Sequence, residues 1–323
     1  MKEYELIQII KDIVDPDLNF IGNDTAVIKE TGLVLTCDTL VEDTHFRLQN
    51  TTPFELGYKA AAVNLSDIAA SGGICKYLLV ALAMPPSTDK DFIRELYNGM
   101  VYLSEQFNTK IVGGDLTRSD KIVITVTAIG QTENTVGRNH AQIGQKIIST
   151  GSYGISYTGL MLLEASSFVK ENDLLAGYID HHKKPYPRIH EAQYFIQNTE
   201  YDSYCMMDTS DGLADAVFQL AKSSEKRLHI YLDKIPIMSE LFEIHQILNI
   251  NTYQAALYGG EDFELIFTCH PQDYELLLHN KDFIYTEIGE VVEGDPGVSL
   301  ITENTFIELD EYLLAEESTF THF

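Results

Sequence analysis

Short acidic motifs, each beside glycine or a small residue, carry the side chains of this sequence best suited to chemistry. They are Gly22-Asn23-Asp24-Thr25, Asp38–Phe46, Asn64–Ala70, Gly113–Arg118, Met207–Ala214 and Gly259–Leu265. Carboxylates beside hydroxyls and flexible backbone are what a hard divalent cation needs. Mg2+ takes oxygen ligands and shares its shell with substrate phosphates. The set points to a magnesium–phosphate site assembled from many chain positions.

Each motif alone has a plainer reading. A single Asp at a strand end is more often a helix cap or turn former than a ligand. Ser210-Asp211-Gly212 could simply start the helix that follows. Asp67 differs, because it falls in a helix-like run of small residues. There Asp has poor propensity, and a buried carboxylate needs a partner. Asp38, Asp115 and Asp208 each follow a hydrophobic run and read as standing at the mouths of strands. Ligand sites commonly gather at such ends. His45 has a structural reading beside its functional one, and Tyr97 reads first as packing. Arg138 either coats the surface or grips a phosphate bidentately.

The elements that must position these groups alternate between helix and strand. Leu6, Ile9, Ile10 and Ile13 predict an opening helix, and Phe54–Ala70 and Asp91–Phe107 predict two more. Strands are expected at Thr25–Ile28, Leu33–Cys37, Lys110–Val112 and Ile122–Ile129, with Tyr77–Ala83 as a buried strand. Gln131–Gly144 is polar and apolar-poor, so domains 1–136 and 137–323 are expected. The second holds strands at Lys146–Thr150, Leu228–Leu232, Leu265–Thr268 and Ile288–Val292. It also holds helices from Gly154 to about Val169 and from Leu213 to Ala221. The class is α/β or α+β. The basic stretch from His181 to Arg188 reads as a solvated loop held by two prolines.

The charge is −27, from 22 basic and 49 acidic residues. This argues against nucleic acid, whose binding rests on Lys and Arg neutralising phosphates. Cys37, Cys75, Cys205 and Cys269 form no C-x-x-C motif and suggest no disulfide framework. No signal peptide or membrane-spanning run is evident, so a reducing cytoplasm is expected. The P-loop pattern, the dinucleotide fingerprint and the nucleophile elbow are absent. Any nucleotide is expected to be held mainly through metals.

In their order and spacing, these motifs resemble the thiamine-monophosphate kinase family, within the superfamily of aminoimidazole ribonucleotide synthetase. The resemblance runs from Gly22 to His322-Phe323. It implies ATP-dependent phosphoryl transfer to thiamine monophosphate, with several Mg2+ ions. It also implies two α/β domains, the first sheet pairing across a homodimer. By position, Asp24, Thr36, Cys37, Asp38, Asp67, Asp115, Asp208 and Asp211 match metal positions. Tyr97, Gly114, Asp115, Arg138 and Ser210 match nucleotide positions. His45, Glu261 and Phe320 match substrate positions. Asn23 stands where the family has Asp, Cys37 where it has Thr, and Ser71 where it has Met. Asp38, Asp67 and Asp115 are assigned to central metal clamping. No residue is assigned as a base, because a phosphate monoester with a second pKa of about 6 is already nucleophilic. Aminoimidazole ribonucleotide synthetase remains the alternative enzyme. A non-catalytic Mg2+ or nucleotide-binding regulator is the alternative of another class, and Asp67 and Asp115 argue against it.

Overall fold

The computed structural model describes residues 3–14, 21–165, 173–201, 203–302 and 305–309. The first half runs α1 (Glu3–Val14), β1 (Ala26–Ile28), β2 (Leu33–Val41), α2 (Pro53–Ala70), β3 (Ile74–Met84), α3 (Lys90–Gln106), β4 (Lys110–Arg118) and β5 (Val123–Gln131). The second begins β6 (Lys146–Thr150), α4 (Ile155–Glu164), α5 (Asp173–Lys183), α6 (Ile189–Asn198), β7 (Met206–Asp208) and α7 (Leu213–Ser224). It continues β8 (Arg227–Tyr231), α8 (Ser239–Leu248), α9 (Thr252–Tyr258), β9 (Leu265–Cys269), α10 (Pro271–Leu277), β10 (Tyr285–Val292), β11 (Gly297–Ile301) and β12 (Phe306–Leu309).

The first sheet has the order β1-β2-β5-β3-β4, and only β3 and β4 pair in parallel. Side chains alternate across it. Val34, Leu40, Val126, Leu78, Val80 and Leu82 form a buried face. The described residues leave the opposite face bare, with Tyr77 46% and Leu79 38% exposed. The expectation of a buried strand at Tyr77–Ala83 is therefore corrected: β3 is buried on one face only. Helix α2 packs on the buried face. Its start is set by a capping box, in which Thr52 accepts from Glu55 N–H and Glu55 accepts from Thr52 N–H. Glycines let α3 lie close against α2. A Cβ on Gly57 would stand 1.8 Å from the Leu96 carbonyl oxygen.

The second sheet has the order β12-β11-β8-β10-β6-β9-β7. It is a layer with two covered faces. Ile148, Met206, Leu265 and Phe267 join the core that contains α2. Ile147, Met207 and Ile266 pack with α7 on the other side. Helix α2 is thus enclosed between the halves, which is why nearly all its side chains are buried.

Three expectations change. Strand β2 runs on through Asp38 to Val41, and β4 runs through Gly113-Gly114-Asp115 to Arg118. Neither Asp38 nor Asp115 stands at a strand mouth; Asp208, the last residue of β7, does. The stretch from His181 to Arg188 is no solvated loop. His181, His182 and Lys183 close α5, and Arg188 caps α6. His182 is buried, and the Arg188 guanidinium forks onto the buried Glu264 carboxylate at 2.5 and 2.7 Å.

Candidate active site

Two adjoining cavities hold most of the residues singled out by sequence. The larger is a cleft of about 1110 Å³ lined by Asp24, Thr36, Asp38, Asp67, Arg138 and Asp211, among others. Asp24 precedes β1, Thr36 and Asp38 lie on β2, Asp67 lies in the last turn of α2, and Asp208 ends β7. One carboxylate oxygen each from Asp24, Asp67 and Asp208 lies within 4.8 Å of the others.

This concentration of charge is held by neighbours. Thr36 Oγ1 donates to Asp67, and Ser66 Oγ donates to Asp208 at 2.6 Å. Arg138 forks onto Asp24, with Nη2 at 2.6 Å and Nε at 3.3 Å. Asn23 Oδ1 accepts from Arg138 N–H at 3.1 Å. Asn23 therefore positions the Arg138 backbone. Burial, then Asp38, Asp208 and Asp24, hold Asp67 well above the usual carboxylate range. Burial and Asp24 raise Asp208 likewise. Burial acts against the charge of Arg138, but Asp24, Asp208 and Asp215 outweigh it and keep the guanidinium protonated.

Cys37 borders the cleft with its backbone. Its thiol lies on the opposite sheet face, where Thr127 Oγ1 donates to it at 3.5 Å. Asp215 is a residue the sequence reading missed. It lines the cleft from the first turn of α7, and burial followed by Asp211 raises its pKa to about 6. Its place in the first helical turn after Ser210-Asp211-Gly212, where a carboxylate meets the helix N-terminus, was the available signal.

Asp115 lies elsewhere. Strand pairing links Asp38, Val126, Val80 and Gly114 in one row. It links Thr39, Thr125, Ala81 and Asp115 in the next. Adjacent rows point to opposite faces, so Asp115 is on the bare face and Asp38 on the covered one. Their strands are also about 14 Å apart across the sheet. Tyr97 sits on α3, packed against the core, and does not line the cleft either. Phe320 lies outside the described residues.

The second cavity, of about 380 Å³, is lined by His45, Lys59, His182, Lys183, Glu261 and the aliphatic side chains of α4, among others. The His45 ring is fixed by Nδ1, which accepts from Val41 N–H at 2.9 Å. One backbone bond ties the linings of the two cavities, from Glu261 N–H to the Ser210 carbonyl at 2.7 Å. Helix α2 spans both: from Lys59 in one to Asp67 in the other its axis advances roughly 12 Å. A cluster of hard oxygens thus adjoins a half-apolar pocket. Such an arrangement suits a small organic molecule with a phosphate tail.

Residues 22–132 match the AIR synthase related protein, N-terminal domain, and residues 142–301 match its C-terminal domain. The fold is therefore that of an AIR synthase related protein. The thiamine-monophosphate kinase of Aquifex aeolicus is 35% identical over 295 residues, 91% of this chain and 92% of that protein. That of Bacillus subtilis is 35% identical over 302 residues, 90% and 91% of the two chains. A solved structure, AaThiL complexed with AMPPCP and TMP, is similar with a TM-score of 0.84 at 32% identity, covering 95% of this chain and 96% of that one. The chain belongs to the thiamine-monophosphate kinase family. Among the described residues, no helix is long and apolar enough to cross a membrane.

Proposed function

We propose that this protein transfers the γ-phosphoryl group of ATP directly to thiamine monophosphate, giving thiamine diphosphate and ADP. The observation that carries this reading is the closeness of the two cavities, whose linings the Glu261–Ser210 backbone bond ties together. A thiamine moiety in the smaller cavity directs its phosphate toward Asp67 and Asp208. The relative solved with both AMPPCP and TMP supports the same pair of substrates.

The oxygen donors of the cleft fit Mg2+, and Asp24, Asp67 and Asp208 with Thr36, Asp38 and Asp211 would hold it. When bound, Mg2+ supplies charge neutralisation between two polyanions. The protein's own contribution is placement. Ser66 and Thr36 orient the carboxylates, and Arg138, held on Asp24, stands ready for phosphate charge. The acceptor is a dianion near neutral pH, so no side chain serves as a base.

Tyr97, Gly114 and Asp115 are proposed to serve the nucleotide from a second copy. The bare face of the first sheet, with exposed Tyr77 and Leu79, supports a homodimer in which Asp115 meets the partner's cleft. We take the domains to divide between 136 and 137 and the enzyme to work in the cytoplasm. The test is product formation from ATP, Mg2+ and thiamine monophosphate. No thiamine diphosphate, or equal turnover with free thiamine, would sink the assignment.

A further inference from the structure

Glu261 is held in an unusual way. Its backbone has φ 58°, a left-handed conformation, just after Gly259-Gly260. The carboxylate is pinned at one end, where Lys59 Nζ stands 2.8 Å from Oε1. The other oxygen, Oε2, is buried and has no hydrogen-bond partner among the described residues. His182 Nδ1 lies 3.4 Å from Oε2, and 3.0 Å from Ser156 Oγ.

Lys59 is itself out of place. It sits on an otherwise apolar stretch of α2, and its side chain is only 3% exposed. A buried ammonium is costly unless paired, and Glu261 is the partner the structure gives it. A lysine kept only for stability could be replaced by an apolar residue together with its partner, so this pair calls for another role. The neighbouring cation is switched off. Burial, then Lys59, drives His182 down to about 3, so at neutral pH its imidazole carries no charge. Burial favours protonation of Glu261, but the Lys59 ammonium outweighs it and keeps the carboxylate ionised. The result is one buried carboxylate oxygen, on a residue that lines the cavity, fitted to accept and never to donate.

We propose that Lys59 is a positioning residue for substrate specificity: it ties one oxygen of Glu261 and presents the other to an N–H donor on the ring end of the acceptor. The inference rests on the reading that this cavity takes thiamine monophosphate, whose aminopyrimidine carries such a donor. A buried acceptor left without a partner rejects ligands lacking the donor far more strongly than apolar contact does. Selection for the thiamine end would then come from a pair of residues distant from the phosphates.

Steady-state kinetics and calorimetry of thiamine monophosphate binding without ATP test this. Glu261→Gln and Lys59→Met should each weaken thiamine monophosphate, in KM and in Kd, by roughly 10- to 100-fold, as expected for losing a hydrogen bond to a charged group. The KM for ATP and kcat should stay within a few-fold, and Lys59→Arg should recover most of the affinity. The double variant Lys59→Met/Glu261→Gln should bind no worse than Glu261→Gln alone, because Lys59 acts only through Glu261. That comparison also decides the matter if Lys59→Met alone fails to fold, since the double variant buries no charge. Additive losses, or an unchanged Kd in Glu261→Gln, would overturn the proposal while leaving the kinase reading intact. A parent protein that forms no thiamine diphosphate would overturn the reading and the proposal together.

Discussion

Replacing Asp67 by Asn exchanges a carboxylate for an amide of the same shape. It should abolish activity and stabilise the metal-free protein. The oxygens of Asp24, Asp67 and Asp208 lie within 4.8 Å of one another. At an effective dielectric near 20, each ionised pair at that distance repels by about 3.5 kcal/mol, so two neighbours would oppose a charged Asp67 by about 7 kcal/mol. The protein avoids much of this. Burial and the surrounding carboxylates keep Asp67 protonated well above the usual range, and Arg138 neutralises Asp24. What an amide relieves is the remainder, on the order of 1–3 kcal/mol. The hydrogen bond from Thr36 survives, because the amide oxygen still accepts.

Thermal unfolding in a chelator should therefore show the variant melting higher, by roughly 2–4 °C per kcal/mol. In excess Mg2+ and ATP the order should reverse, since the parent gains more from ligand binding. The pH dependence has a defined sign. Folded Asp67 and Asp208 bind protons that the unfolded chain has released, so metal-free stability falls as pH rises above the ordinary carboxylate range. Asp67→Asn should flatten that fall. Turnover should drop on the order of 100-fold or more, the value of several kcal/mol of transition-state charge stabilisation. A variant that melts below the parent in chelator, or that keeps activity within a few-fold at saturating Mg2+, would refute the reasoning.

Two further outcomes are expected. Mixing the inactive variants Asp67→Asn and Asp115→Asn should restore roughly a quarter of the parent's activity, because half of the dimers then contain one intact site; no recovery after subunit exchange would place Asp115 outside the partner's cleft. His245 is fully buried on α8, and Thr158 Oγ1, which donates to the Gly154 carbonyl, must accept from its Nε2–H at 2.7 Å. Its Nδ1 is buried with no hydrogen-bond partner among the described residues, and burial pushes its pKa down from 6.5 to about 4. The folded protein thus binds fewer protons than the unfolded chain between those values, and stability is lost as pH falls through them, by up to about 3 kcal/mol. His245→Gln keeps a donor for Thr158 and should lose less over that range; parallel stability curves for parent and variant would refute this.

How far the site could be read from sequence depended on which forces set each residue's place. Helix α2 was readable because its signals are local: helical composition with Ala60, Ala61 and Ala62 in its middle, and a half-buried Asp67 that no helix interior prefers. Asp24, Asp38, Asp67, Asp208, Arg138 and Asp211 line or border one cleft in the structure, as their chemistry suggested. Strand β4 was read only as far as Val112, and its continuation to Arg118 was hidden by Gly113-Gly114. Gly114 is in fact a strand residue at φ 154°, where a Cβ would lie 1.8 Å from the Val80 carbonyl oxygen, so glycine marks close backbone approach. The period of two along β2 separates Asp38 from Thr39, but only the register of three neighbouring strands shows that Asp115 shares the face of Thr39. Register is a non-local property, and no single strand carries it. The same holds for the basic stretch: Arg188, His182 and Lys183 look solvated until Glu264, Glu261 and Glu55, all distant in the chain, are brought beside them. Burying so many charges in one acidic chain is tolerable only because each cation meets a carboxylate there. The arrangement leaves Oε2 of Glu261, 3.4 Å from the uncharged His182, with no hydrogen-bond partner among the described residues, beside the backbone bond that ties the linings of the two cavities.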